Sequence, residues 1–209
     1  MKPVILIGGG GQARSVVEAM PPDTFAGYAA AEESAESPGT VYIGSDEAVN
    51  RLYGPDGCSV HIAIGFNNGC RMSLRRKVID AYKAYTFASA VSPHAIVSRN
   101  SEIGQGTAVM MGSVINRSHI GRNCIINTGA IIEHDCHIGD NVFIGPGAIL
   151  LGGVTVGDDS FIGAGATVLQ GVTIESGVSI GFGCAVHHDL ARPGVYAGSP
   201  LRKIKSAND

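Results

Sequence analysis

From Val114 to Val186 every sixth residue is a Val, Ile or Leu: Val114, Ile120, Ile126, Ile132, Ile138, Ile144, Leu150, Val156, Ile162, Val168, Ile174, Ile180 and Val186. Neither the 3.6-residue period of a helix nor the two-residue alternation of a single strand keeps that register. A triangular coil with three six-residue sides does, because each side sends one branched side chain inward. The pattern therefore predicts a β-solenoid. The residue two before each apolar position is small or compact, as at Ser118, Cys124, Ala130, Cys136, Ala148 and Cys184, which suits an inward site beside a corner. Gly121, Gly139, Gly145, Gly157, Gly163 and Gly181 follow apolar positions and read as residues of tight turns. Upstream, the pattern continues through Val97, Ile103 and Val109 and slips by one residue before Val114, predicting a bulge or tight corner there. About five coils at ~4.8 Å each would stand roughly 25 Å tall. Pro193 to Lys205 leaves the register and is expected to fold back as a cap.

The chain before about Ser92 follows different rules. Val4 to Ile7 reads as a buried strand, Gly8-Gly9-Gly10-Gly11 as a turn, and Gln12 to Met20 as a helix with Ala13, Val16, Val17 and Met20 on one face. Further strands are expected around Phe25 to Ala29 and Val60 to Ile64, with helices at Asp46 to Tyr53 and Arg71 to Ala84. The expected architecture is α/β plus all-β: a small Rossmann-like parallel α/β domain over residues 1–91, then a solenoid over 92–209.

Composition narrows the partners. The 209 residues carry a net charge of −3, with no basic run interleaved with aromatics, so nucleic acid is not an expected partner. The apolar stretch at Val4 to Ile7 is too short for a signal or membrane segment, and a cytoplasmic protein without a membrane partner is expected. Cys124, Cys136 and Cys184 occupy inward small-residue slots, and Cys58 and Cys70 lack metal-ligand spacing; reduced cysteines and no metal follow.

Three features bear on chemistry. His134-Asp135 sits just past the inward Ile132, at a corner facing outward, where a carboxylate can orient an imidazole as a base; a surface His beside a surface Asp is the plain alternative. Gly8 to Ala13 matches G-x-G-x-x-A between strand and helix, able to hold a phosphate on backbone N–H groups. Glu32 or Glu33 stands near a ribose-binding position, which admits NAD, but a nucleotide-sugar diphosphate or an unliganded turn fits equally. His119 and His137 should stack one coil apart, about 4.8 Å, with Thr155 next in the column and no third ligand for a metal. Arg202, Lys203 and Lys205 form a basic tail that can meet coenzyme phosphates or simply face solvent.

The hexapeptide pattern with Asn127-Thr128-Gly129-Ala130, Glu133-His134-Asp135-Cys136 and Ile138-Gly139-Asp140, preceded by Ile7-Gly8-Gly9-Gly10-Gly11, resembles the sugar acetyltransferases grouped with sialic acid O-acetyltransferase. Within that group it is most similar to bacterial enzymes that N-acetylate a nucleotide-linked 4-amino-4,6-dideoxy sugar, of the bacillosamine and perosamine types. The resemblance implies a left-handed parallel β-helix that assembles as a homotrimer in surface-glycan biosynthesis. Acetyl-CoA would lie between neighbouring solenoids, beside Phe143, Ala164 and Phe182, with the Gly152 N–H facing the oxyanion. It further implies His134 as general base, Asp135 as its orienting partner and Asn127 as a contact to the acceptor. Gly10, Gly11 and Gln12 would approach the nucleotide phosphates, with Gly65, Asn67, Asn68 and Arg71 nearby. The chain departs from the family at Gln12, where many members carry His, and at Ala29-Ala30-Ala31, where many carry an acidic pair.

Rival readings remain. A γ-type carbonic anhydrase would need a metal-binding His where Gly129 stands. O-acetylation of a sugar such as sialic acid uses the same base, and a non-catalytic trimeric nucleotide-binding scaffold would keep the solenoid without its chemistry. The unbroken frame from Val114 to Val186 leaves no inserted loop to cover an acceptor, so acceptor binding falls to the N-terminal domain.

Overall fold

The computed structural model describes residues 2–65 and 72–198 and the backbone of 202–206. Its N-terminal part is a parallel sheet of β1 (Val4–Ile7), β2 (Gly27–Ala29), β3 (Tyr42–Gly44), β4 (Ser59–Ile62) and β5 (Thr86–Phe87) in the order β3-β2-β1-β4-β5. Among the described residues, helices α1 (Gly11–Ala19), α2 (Asp46–Leu52), α3 (Gly54–Gly57) and α4 (Ser73–Ala81) accompany it. The alternation along β1 divides its burial. Ile5 and Ile7 pack with Val49, Val60, Ile62 and Ile79, whereas Leu6 packs with Ala13 and Val16 of α1. Strand order reverses at β1, and the crevice beyond the carboxyl ends of β1 and β4 is where such sheets bind ligands.

From Ala90 onward the chain winds into a parallel β-helix with three faces. The first face stacks Ile96–Val97, Val114–Ile115, Ile131–Ile132, Ile149–Leu150, Thr167–Val168 and Ala185–Val186. The second stacks Glu102–Ile103, His119–Ile120, His137–Ile138, Thr155–Val156 and Thr173–Ile174. The third begins Ala90–Val91, Ala108–Val109, Ile125–Ile126, Phe143–Ile144, Phe161–Ile162 and Val178–Ile180. Inward-facing Ile, Val and Leu fill the coil as one continuous core, with Cys124, Ala130, Cys136, Ala148 and Cys184 beside the corners. The third face is covered on its outer side: Ala90, Ala108, Ile125, Phe143 and Phe161 pack in one cluster with α1.

Two sequence expectations change in register. Ile115, not Val114, points inward, pairing with Ile132 while Val114 pairs with the outer Ile131. The missing residue therefore lies after Ile115: three residues, Asn116 to Ser118, turn the corner where the next coil uses four, Glu133 to Cys136. The glycines after apolar positions are not turn residues either. A Cβ at Gly121 would stand 2.4 Å from the Gly139 carbonyl oxygen, and one at Gly163 would stand 2.6 Å from the Gly181 carbonyl carbon. These glycines let successive coils touch backbone to backbone. The left-handed turns are at other glycines, among them Gly129, Gly147, Gly165 and Gly183.

The ends also differ from expectation. Gly194–Ala197 adds in parallel to Val178–Ile180, and Arg202–Ser206 returns antiparallel to it, so the chain extends the third face rather than covering the stack. β3, α3 and β5 have no counterpart in the sequence reading, and α4 starts at Ser73 among the described residues rather than at Arg71.

Two arginines of α4 join the parts. Arg75 is 1% exposed, and its guanidinium donates to the carbonyls of Ile62 (2.8 Å), Ile64 (2.9 Å) and Asn123 (2.7 Å). Burial without a carboxylate partner lowers its pKa to about 10, still charged at neutral pH. Arg76 makes a two-pronged contact with Asp159 at 3.0 and 2.8 Å.

Candidate active site

His134 stands on the corner between the first and second faces, in the four-residue link after Ile132. Its Nδ1 lies 2.9 Å from Asp135 Oδ2, and Nε2 has no partner among the described residues. With a carboxylate on Nδ1, the neutral ring carries its proton there and presents a lone pair at Nε2. The bond to His134 holds the Asp135 carboxyl below the usual range, helped by the nearby Arg117 guanidinium. The imidazole lies over Gly152 in the next coil. A Cβ at Gly152 would come within 2.6 Å of Cε1 and 2.7 Å of Nε2, so only glycine leaves room for the ring. The Gly152 carbonyl accepts from Gly171, while its N–H has no hydrogen-bond partner among the described residues. An unpaired N–H beside a base is what a developing oxyanion requires.

Asn127 directly follows Ile126 of the third face, on the corner that leads into the first-face strand Ile131–Ile132, with its Oδ1 accepting from the Thr128 N–H at 2.8 Å. The corner column that follows Asn127 carries Ala164 and, one coil higher, Phe182, which is 64% exposed. These residues do not meet His134 within one protomer. They occupy a different corner of the triangle.

A separate cavity of about 550 Å³ opens at the carboxyl ends of β1 and β4, lined by Gly8 to Gln12, Ala63 to Gly65, Leu74 and Phe143. Its glycines divide by role. Gly8 has φ +115 and Gly9 faces the Tyr28 ring, where a Cβ would be 2.8 Å away; both are needed for the backbone path. Gly10 meets nothing within 4 Å and Gly11 only the end of Arg14, so the space beside them is open. Gln12 Nε2 is buried without a partner among the described residues, and the Gln12 side chain closes on Gly65, where a Cβ would be 3.2 Å from it. Phe143, expected beside the coenzyme, is 6% exposed and lines the solenoid side of this cavity. Glu32 and Glu33 are exposed beyond β2 and do not line it. Asn67, Asn68 and Arg71 lie outside the described residues, as do the side chains of Arg202, Lys203 and Lys205.

Sequence reasoning missed Ala63, Ile64 and Leu74 of the cavity, and Arg117 and Glu133 beside the base. Glu133 Oε2 accepts from Asn116 Nδ2 at 3.1 Å and from the His134 N–H at 3.3 Å. Its place directly before His134 was the available signal. On the second face His119 and His137 pair in register with ring centroids 6.3 Å apart, and His119 Nδ1 contacts Glu102 at 2.9 Å. Among the described residues no group of three His, Cys, Asp or Glu is placed to hold a metal, and no helix is long and apolar enough to cross a membrane.

Residues 117–152, 135–170 and 153–188 match the bacterial transferase hexapeptide (six repeats) family. A search of curated proteins finds no match. Among solved structures, perosamine N-acetyltransferase from Caulobacter crescentus, in complex with CoA and GDP-perosamine, is 34% identical over 97% of each chain, with a TM-score of 0.86. The acetyltransferase domain of PglB from Neisseria gonorrhoeae is 28% identical, covers 98% of this chain and 100% of that one, and has a TM-score of 0.88. WeeI from Acinetobacter baumannii, at 21% identity over 98% of this chain and 100% of that one, shares the fold with a TM-score of 0.79. An N-terminal α/β sheet, a left-handed β-helix and near-complete coverage at this identity place the protein: the chain belongs to the hexapeptide-repeat sugar N-acetyltransferases.

Proposed function

We propose that this chain transfers the acetyl group of acetyl-CoA to the amine of a nucleotide-linked amino sugar, with His134 as the general base. The observation that carries the reading is the His134 ring lying over Gly152, with Nδ1 tied to Asp135 and Nε2 open. The amine attacks the thioester carbonyl while Nε2 takes its proton, and the Gly152 N–H meets the oxygen that becomes negative. Collapse of the tetrahedral intermediate expels the coenzyme thiolate, which regains a proton, and leaves an amide. Asp135 remains ionised and steadies the imidazolium.

The cavity at Gly10 and Gly11 suits the nucleotide diphosphate, because the first N–H groups of α1 face it and the space beside both glycines is open. That cavity lies against the third face, through Phe143, whereas His134 is on the corner opposite that face. A protomer cannot bring its own base to an acceptor held there. The site needs a second copy, and the first face supports one: its outer ladder of Ile96, Val114, Ile131 and Ile149 is apolar, with Ile96 66% exposed and the other three half-buried. A homotrimer joins such faces in a closed ring and sets the Ala164 and Phe182 corner of one copy against the His134 corner of the next, with acetyl-CoA between.

His134→Ala tests the base. Turnover with acetyl-CoA and a nucleotide-linked amino sugar should fall by about two to four orders of magnitude, with coenzyme affinity and oligomeric mass unchanged. Near-normal turnover in a correctly assembled variant sinks the assignment.

A further inference from the structure

The short corner beneath His134 holds an arginine in a conformation that arginine rarely adopts. Arg117 has φ 46, and among the described residues it is the one non-glycine at positive φ that is neither Asn nor Asp. Gly153 and Gly171, both at φ 71, occupy the same column in higher coils. A left-handed backbone costs an ordinary L-residue roughly 1–2 kcal/mol, so glycine is the undemanding tenant. Strain of this kind persists where the surrounding structure uses the residue.

Its contacts show the use. The Arg117 N–H donates to Ser98 Oγ at 2.7 Å, anchoring the corner from below. Its carbonyl accepts the Asp135 N–H at 3.0 Å, and its Nε lies 3.3 Å from Asp135 Oδ1. The other carboxylate oxygen, Oδ2, is the one bonded to His134 Nδ1. Asp135 thus has its backbone and one oxygen fixed by Arg117 while its second oxygen faces the imidazole. Because the corner is one residue short, Asn116 pairs under Glu133 and Arg117 alone spans the level that His134 and Asp135 share in the coil above. The ring is held from the side by Asp135 and from above by the fit to Gly152.

We propose that Arg117 is a positioning residue that fixes the Asp135 carboxylate in the orientation in which it holds His134 for proton transfer. The proposal rests on the reading of His134 as the base. Arg117 and Asp135 are each more than half exposed at the side chain, so their ion pair adds little stability, and its effect belongs in turnover.

Arg117→Gly is the informative variant, since glycine already fills this column at Gly153 and Gly171 and relieves the backbone strain. We expect an unchanged or higher melting temperature, kcat lowered about three- to tenfold, and both KM values within about twofold. Arg117→Lys should recover part of the loss, as a point charge without the planar fork. In an Asp135→Asn background the same Arg117→Gly change should cost less than about 1.5-fold, because residues acting through one another are not additive. Unchanged kcat in Arg117→Gly, or an equal loss in both backgrounds, overturns the proposal. His134→Ala assayed in parallel separates the two failures: an active His134→Ala removes the base itself, whereas an inactive one beside a neutral Arg117→Gly removes only the role of Arg117.

Discussion

Each coil of the solenoid is held by the coil above and the coil below, through the same pairings repeated about every 18 residues, as from His119↔His137 to His137↔Thr155. The α/β domain has no such repetition. Its sheet order β3-β2-β1-β4-β5 brings together segments far apart in sequence, and its position on the third face depends on a packed cluster around α1 and on the Arg75 and Arg76 contacts. The two regions therefore place function differently. The solenoid locates a base by periodicity, with Gly152 18 residues after His134, while the α/β domain shapes a cavity from the ends of β1 and β4. Glycine shows the contrast most sharply, and the largest predicted effect exploits it. Gly163→Ala puts a Cβ within 2.6–2.7 Å of backbone atoms at Gly181 and Ile180 that have no flexible end to give way. We expect a loss of about 3 kcal/mol or more, read by chemical denaturation; a loss under about 1 kcal/mol would show that the stack can breathe between coils.

The joint should be nearly as sensitive. Arg75→Met leaves the carbonyls of Ile62, Ile64 and Asn123 without their donor in a buried setting. Each stranded acceptor costs about 1 kcal/mol or more, so the expected loss is about 3 kcal/mol, with the α/β domain becoming the first part open to protease. Arg75→Lys should recover only part of it, since one ammonium cannot reproduce the spread of the guanidinium. Equal protection of both regions in hydrogen exchange of Arg75→Met would contradict the latch.

A pH effect follows in the α/β domain. His61 is 1% exposed, and burial lowers its pKa to about 4, against a bond from Nδ1 to the Ala88 carbonyl that favours the charged form. The unfolded chain binds a proton near pH 6.5 that the folded chain does not accept until about pH 4. Stability is therefore complete above pH 6.5 and falls as pH drops across that window, by an order-of-magnitude ~3 kcal/mol at most. His61→Gln should flatten the dependence of unfolding free energy between pH 6.5 and 4. An unchanged slope would assign the acid sensitivity to other groups.

How far these features are legible in the sequence depends on the same contrast. A period of six maps directly onto one inward side chain per face, so the solenoid, its core and the His134 corner are readable without coordinates. The slip is not, because Val114 and Ile115 are both apolar and only the pairing with Ile131 and Ile132 says which one faces inward. The use of Gly121 and Gly163 is hidden for a related reason: sequence shows where a side chain is missing but not which backbone lies opposite. In the α/β domain the βα turn at Gly8 to Gln12 is visible, but β5 has two residues and β3 three, too few for any periodicity. Arg75 reads as one more polar residue on a helix. Its burial is set by Asn123, 48 positions away.

The smallest expected effect in free energy divides the two regions by function. Gly10 caps α1 with φ −84 and an extended ψ, a conformation open to any residue, and a Cβ there meets nothing within 4 Å. Gly10→Val should accordingly leave stability within about 0.5 kcal/mol of the parent, unlike Gly163→Ala in the solenoid. The added isopropyl group projects into the space beside the first N–H groups of α1, where the diphosphate is proposed to lie. The KM for the nucleotide-sugar acceptor should rise about tenfold, near 1.4 kcal/mol, and the KM for acetyl-CoA should not change, because the coenzyme is assigned to the solenoid corners. Steady-state kinetics with each substrate varied in turn measures both. A rise in the acetyl-CoA KM alone would place the coenzyme at the glycine turn and reverse the division of labour between the domains.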